Sequence, residues 1–335
     1  LIGNEPDRRG LQSDRAPAEY AVIYHDLYGF LKRRDPASRV AIGGIVQPTP
    51  LRLQYLDLIL QEYQTRYHSK MPVDVWNIHN FILREDKTWG AGIPPGMDEY
   101  AHLGMLYEIQ DNDDIEIFRQ QLIAFRQWMA ERGERDKPLI VSEYGVLMPP
   151  IYGFTYERVR AFMLATFDFF STAVDDQIGY PADDNRLVQQ WAWFSLNDYL
   201  YDPQTGQGFN GNLFDHDTHQ ITPLGLDYAA YTAGLVVPYV DLSVSRLRGQ
   251  PSSVLASAEP VTVTLTASVS NLGNQSGPAV AVQFWNGDPA HGGVLLGAPL
   301  TLANVPARHG GARTVQMVWP DVPNGVHVVY VQVDG

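Results

Sequence analysis

The chain has 335 residues, of which 45% are hydrophobic and 19% charged, and it carries a net charge of −14. That length admits two domains with a large buried core, and the acidic balance repels phosphate and so excludes nucleic acid as a partner. The absence of cysteine excludes disulfides, zinc–thiolate sites and thiol catalysis, and no apolar run reaches the length of a membrane span.

The chain opens on an apolar strand end, Leu1-Ile2-Gly3, that runs into Asn4-Glu5-Pro6. Tyr20, Ile23, Tyr24, Leu27, Phe30 and Leu31 recur at helical spacing and predict a helix over 17–34. Val40 to Val46 reads as a short strand, and Leu53, Leu56, Leu60 and Tyr63 mark a helix over 50–67. A strand from Val73 ends in His79, followed by Asn80 and Phe81. The segment 82–113 is rich in glycine, proline and aromatic residues, and loops of that length in a compact domain are functional or ordered as lids. A helix over 114–132 follows, with Asp113 or Asp114 as its cap. Next come a strand over 139–146 that carries Glu143, a helix over 156–173, a strand over 188–196 and a helix over 227–235.

Strict alternation of strand and helix implies a parallel sheet with right-handed crossovers. The expected class is α/β, a partial (β/α)8 barrel over residues 1–238, since a full barrel takes about 250 residues for eight units. If the first strand is strand four of such a barrel, the last is strand eight. From about residue 239 the style changes. Val261 to Val269, Ala279 to Phe284, Thr314 to Val318 and Val326 to Val333 alternate with period two, with turn signals such as Asn271-Leu272-Gly273-Asn274 between them. Residues 239–335 therefore read as a small all-β sandwich. Nearly all of the net negative charge lies before it, which supports a boundary near Pro238.

Two glutamates occupy similar positions. Glu5 follows the first strand and precedes a proline that disfavours helical geometry at Glu5 itself. Glu143 ends the run Leu139-Ile140-Val141-Ser142. Alternation is expected to put Leu139, Val141 and Glu143 on one face, pointing into the barrel. Carboxyl groups at the C-terminal ends of parallel strands gather at the catalytic rim, and a pair of them is what glycosidic bond cleavage needs. Asn4 offers amide groups to a sugar hydroxyl. His79 is a candidate to orient a carboxylate or bind a hydroxyl, with Asn80 beside it. Tyr144 follows Glu143, and Trp193 is the candidate sugar-stacking platform, aromatic faces packing well on the apolar face of a pyranose. Trp89, Tyr107, Tyr152 and Tyr199 fall in rim loops. Ser142 lacks a nucleophile elbow, no phosphate-binding glycine fingerprint is present, and Asp111-Asn112-Asp113-Asp114 lacks the spacing of a calcium loop.

These residues together resemble clan A of the glycoside hydrolases, retaining enzymes on (β/α)8 barrels. The resemblance covers residues 1–237. It implies that Asn4-Glu5 matches the Asn-Glu pair ending strand four, with Glu5 as general acid/base. It implies that Glu143 matches the nucleophile ending strand seven, His79 the residue ending strand six, and Trp193 the tryptophan of strand eight. Glu5 is then expected to hold the proton, since an ionised Glu143 nearby disfavours a second charge. The tail, through Val240-Asp241-Leu242-Ser243-Val244 and the Asn-x-Gly-Asn turn, resembles a CARDB-type immunoglobulin-like module of bacterial surface and secreted proteins, a spacer or adhesion unit. Strands one to three of the clan have no counterpart, so the sequence is expected to be a fragment of a longer protein, weak or inactive by itself.

The reading is a retaining glycosidase with a carbohydrate as partner, no cofactor, no metal, a monomeric state and an extracellular or cell-surface location. The alternative is a carbohydrate-binding or adhesion protein on the same scaffold that has lost turnover. A metal-dependent barrel hydrolase would need His and carboxylate ligands clustered at strand ends, where only His79 is evident.

Overall fold

The computed structural model describes residues 1–235, 237–253, 260–277, 279–307 and 310–334. The chain forms two compact units, Leu1–Gly234 and Leu235–Gly335.

The first unit is α/β. Its helices are α1 (Pro17–Arg34), α2 (Pro50–Tyr67), α3 (Ile115–Glu131), α4 (Tyr156–Thr172) and α5 (Pro223–Gly234), and its regular strands are β1 (Trp76–His79), β2 (Leu139–Tyr144) and β3 (Gln190–Trp193). Proline at the first position of α1 and α2 fits a helix start, where its missing N–H would have no partner anyway. Asp114 caps α3, its carboxylate accepting from the N–H groups of Glu116 (2.8 Å) and Ile117 (3.0 Å).

The three strands form a parallel sheet in the order β1-β2-β3. Two further segments extend it on the β1 side by single parallel bridges: Ala41 to Val75, Ile45 to Ile78, and Ile2 to Ile42. Five parallel segments therefore follow one another in chain order, each pair joined by a helix. Both segments before β1 were expected as ordinary strands. They pair instead at isolated bridges, and Gly43 and Gly44 lie where backbone and side chains crowd in. A Cβ on Gly43 would meet the Ile2 carbonyl at 2.7 Å, and one on Gly44 would meet the His79 ring at 2.5 Å. No closed barrel is formed among the described residues. Tyr20 of α1 clamps the outermost pair, accepting from the Gly43 N–H (2.8 Å) and donating to the Ile2 carbonyl (2.6 Å).

The helices cover one face of the sheet. Trp76 packs on Phe125 and Trp128 of α3, Tyr144 on Phe118 and Phe170, and Trp191 stacks on Phe170 of α4. Leu139, Val141 and Tyr144 are all fully buried in this layer. On the opposite face, Gln190 and Ala192 are exposed.

A buried ionic tie joins the loop after Glu5 to α2 and to the long 82–113 segment. The Arg52 guanidinium, fully enclosed, donates to Asp7 (2.6 Å), to Glu85 and to the Ala91 carbonyl (3.0 Å). The second oxygen of Glu85 accepts from the Met105 N–H (2.8 Å), and Asp7 also accepts from the Val46 N–H (3.1 Å). Burial pushes the Asp7 carboxyl up from its ordinary value, while Arg52 pulls it back.

The second unit is an antiparallel sandwich. One sheet is β4 (Leu242–Gln250), β5 (Val261–Asn271) and β9 (Arg313–Val322). The other has β6 (Val280–Asn286) at its centre with β7 (Val294–Leu295), β8 (Leu300–Leu302) and β10 (Val329–Asp334). Leu265, Ala267 and Val269 from one sheet and Val280, Val282 and Phe284 from the other make its core, as period-two alternation requires. Asn271 pins the turn after β5, its Oδ1 accepting from the N–H groups of Asp241 (3.0 Å) and Gly273 (2.9 Å).

Replacing Arg52 by methionine leaves two buried carboxylates unpaired. The expected cost is about 3–5 kcal/mol, read as an earlier urea transition of the first unit. An unchanged midpoint would show that the tie contributes nothing net.

Candidate functional site

Three of the residues singled out from sequence meet in space. His79 Nδ1 lies 3.1 Å from Glu5 Oε1 and 3.6 Å from Glu143 Oε2. One donor atom from each of the three residues lies within 4.8 Å of the others. His79 is fully buried, the Glu5 side chain is 7% exposed, and that of Glu143 is 30% exposed. The backbone stitches the three together: Glu5 N–H donates to the Gly44 carbonyl (3.0 Å), His79 N–H to Ile45 (2.8 Å), and Asn80 N–H to Glu143 (3.0 Å).

Glu143 reaches this cluster by a route that simple alternation does not give. Leu139 and Val141 face the helices, so strict period two would turn Glu143 that way as well. The register shows why it does not. Ile78 pairs with Val141 but His79 pairs with Glu143, and on the other side Val141 pairs with Trp191 but Tyr144 with Trp193. One extra residue, Ser142 or Glu143, is thus inserted in β2. This β-bulge puts Glu143 on the open face with His79 and returns Tyr144 to the helices. The expectation that Leu139, Val141 and Glu143 share a face pointing inward is corrected accordingly.

Glu5 is held in an unusual backbone conformation, φ +40°, in the left-handed region that favours glycine and costs other residues of order 1–3 kcal/mol. The loop that follows pins it. Arg8 N–H returns to the Glu5 carbonyl (3.0 Å), and Asp7 is locked by Arg52.

The remaining four residues singled out from sequence lie elsewhere. Tyr144 is fully buried among Phe118, Phe170 and Trp193. Trp193 is 7% exposed, packs on Phe162 and Phe167, and donates its indole N–H to the Gly211 carbonyl (2.7 Å). Neither ring offers a free face, because both side chains point to the helix side of the sheet. Asn80 is buried and donates to the Phe118 carbonyl (3.2 Å). Asn4 turns its amide to Gln12 (3.3 Å).

Residues not singled out from sequence, together with Trp89, form an apolar cluster beside His79 instead. Phe81 meets the His79 ring edge-on (6.1 Å between centroids), Phe194 meets Phe81 (6.0 Å), and Phe209 meets Phe194 (5.7 Å). Val46, Leu83, Trp89 and Met148 pack with them. The signal was positional: Phe194 directly follows the end of β3, and Phe81 stands two residues after the end of β1.

Burial pushes the Glu143 carboxyl above its ordinary value of 4.5; the His79 interaction opposes this and the charge of Glu5 adds to it.

No protein-family model and no curated protein matches the chain. Among solved structures it is similar to a glucosidase from Croceicoccus marinus, with 14% identity over 98% of this chain and 67% of that one, TM-score 0.47. It is also similar to wild-type BuGH86 in complex with neoagarooctaose, with 13% identity over 90% and 46%, TM-score 0.34. A third is the Bacteroides uniformis β-glucuronidase, with 13% identity over 95% and 45%, TM-score 0.25. The neighbours are glycoside hydrolases at low identity, and the chain spans less than half the length of the second and third.

In a protein labelled with ¹³C at glutamate carboxyls, Glu143 is expected to titrate above 4.5. In Glu5→Gln its midpoint moves down, because a like charge is removed. The sign for stability follows: the folded state holds this proton more tightly than the unfolded chain, so stability falls as pH rises from 4.5 through the raised value. A midpoint unmoved by Glu5→Gln contradicts the coupling.

Proposed function

We propose that the first unit is the catalytic unit of a retaining glycosidase, and that its five parallel segments correspond to strands four to eight of a (β/α)8 barrel. The observation that carries this reading is the approach of Glu5 and Glu143, with donor atoms no more than 4.8 Å apart. Retaining enzymes hold their carboxyl groups about 5–5.5 Å apart, whereas inverting ones leave about 6.5–9.5 Å for a water.

The reacting state carries one proton on the pair, held by Glu5. Ionised Glu143, the more exposed of the two, attacks the anomeric carbon while Glu5 gives its proton to the leaving oxygen. A glycosyl ester forms on Glu143 as the glycosidic C–O bond breaks. Glu5, now ionised, takes a proton from water, the water attacks the anomeric carbon, and the ester bond to Glu143 breaks. His79, in reach of both carboxyl groups, holds them at this separation. Phe209, exposed beside Phe194, offers apolar surface for a sugar ring. The second unit is proposed as a CARDB-like module of an extracellular or surface protein, with no part in the chemistry.

Glu143→Gln is expected to abolish turnover of aryl glycosides. Glu5→Gln should lower kcat by about 10²–10⁴ on substrates with poor leaving groups, and far less where the leaving group needs no proton. Near-normal turnover by Glu143→Gln overturns the assignment. Sugar binding without hydrolysis by the unmodified protein would favour the binding-protein reading.

A further inference from the structure

We propose that Glu5, His79 and Glu143 also form a reversible Zn²⁺ site, so that zinc acts as a regulator competing with the sugar. The binding claim stands on the structure alone; the inhibition claim rests on the glycosidase reading above.

The donor set is one imidazole nitrogen and two carboxylate oxygens, a combination that zinc accepts with three protein ligands and an open fourth position. Donors about 2.0–2.1 Å from a tetrahedral ion lie about 3.4 Å from one another. The separations from His79 Nδ1, 3.1 Å to Glu5 and 3.6 Å to Glu143, bracket that value. The third edge, at most 4.8 Å, closes by side-chain rotation of Glu143, the one member of the three with substantial exposure.

Charge points the same way. Every other deeply buried carboxylate of this unit has a cationic partner: Asp7 and Glu85 share Arg52, and Glu134 holds Lys70 and Lys137. Among the described residues, neither Glu5 nor Glu143 pairs with a lysine or arginine, and His79 is the common partner of both. A buried carboxylate and a partly exposed one sharing a single imidazole leave negative charge uncompensated, which a divalent cation neutralises.

The surroundings also set the character of the site. Coordination through Nδ1 requires the imidazole proton on Nε2. Among the described residues Nε2 has no hydrogen-bond partner, although its side chain is buried. Resident metal sites orient their histidines through such a partner, and lacking one weakens affinity. Zinc here is therefore exchangeable, and its open fourth position coincides with the space where the anomeric carbon would lie.

The test is equilibrium dialysis of the whole protein against Zn²⁺ alone, with bound metal measured by atomic absorption, so that no turnover is needed. The expected result is one exchangeable zinc per chain, lost in His79→Gln and in Glu143→Gln. Glu143 is partly exposed, so its variant serves if the buried His79 variant does not fold. Binding should be retained in His216→Ala and His291→Ala, which remove the exposed His216–Asp217 and His291–Asp288 pairs. Failure to bind, or binding that survives Glu143→Gln, overturns the proposal whether or not the protein cleaves glycosides. If hydrolysis is present, zinc should raise KM without lowering kcat and be reversed by EDTA; lowered kcat at unchanged KM refutes the competitive mode while leaving the glycosidase reading intact.

Discussion

One inserted residue in β2 decides where the second carboxylate points. Backbone pairing on both sides of β2 loses register at the same place, between Val141 and Tyr144. Before that point, apolar side chains face the helices at even intervals. After it, Tyr144 still does, packed against Phe118 and Phe170. Only a bulge satisfies both, and what it frees is Glu143, turned to the open face opposite His79. A regular strand would have to bury a carboxylate among phenylalanines, at a cost of several kcal/mol, or give up the Tyr144 packing.

Glu5 is placed by a different device. Its backbone is strained, and the structure around it over-determines the geometry. The Glu5 N–H is bonded to Gly44, Pro6 restricts the chain, and Asp7 is gripped by the buried Arg52. The same guanidinium holds Glu85 and the Ala91 carbonyl of the long loop. The rim loop bearing one carboxylate and the loop flanking the cleft are thus parts of one ionic unit. His79 between the two glutamates, with Gly44 lying against its ring, completes the positioning. Had Gly44 carried a side chain, the imidazole could not occupy its place.

Much of this was legible in sequence. Helices α1 and α2 are marked by proline at the start and by aromatic and aliphatic residues at helical spacing, and both fall where the spacing puts them. The meeting of Glu5, His79 and Glu143 was legible as well, since each ends a strand-like run in an alternating pattern and parallel strands bring such ends to one rim. What period two could not supply was a change of register inside a strand. That is why Glu143 was set on the wrong face with Leu139 and Val141, and why Tyr144 and Trp193 were taken for cleft residues when they pack on helices. The two segments before β1 were expected as regular strands because their composition is strand-like, yet they pair only at isolated bridges. The Arg52 tie joins residues 45 and 33 positions apart, a pairing that only the folded chain discloses.

The account makes the two carboxyl groups partners in one displacement at short separation. The anomeric configuration of the first-formed product, followed by proton NMR before mutarotation, tests this most directly. Hydrolysis of a glycoside substrate should yield the same anomer as the starting bond. The opposite anomer would mean that water, not Glu143, attacks first, and would contradict the geometry on which the reading stands.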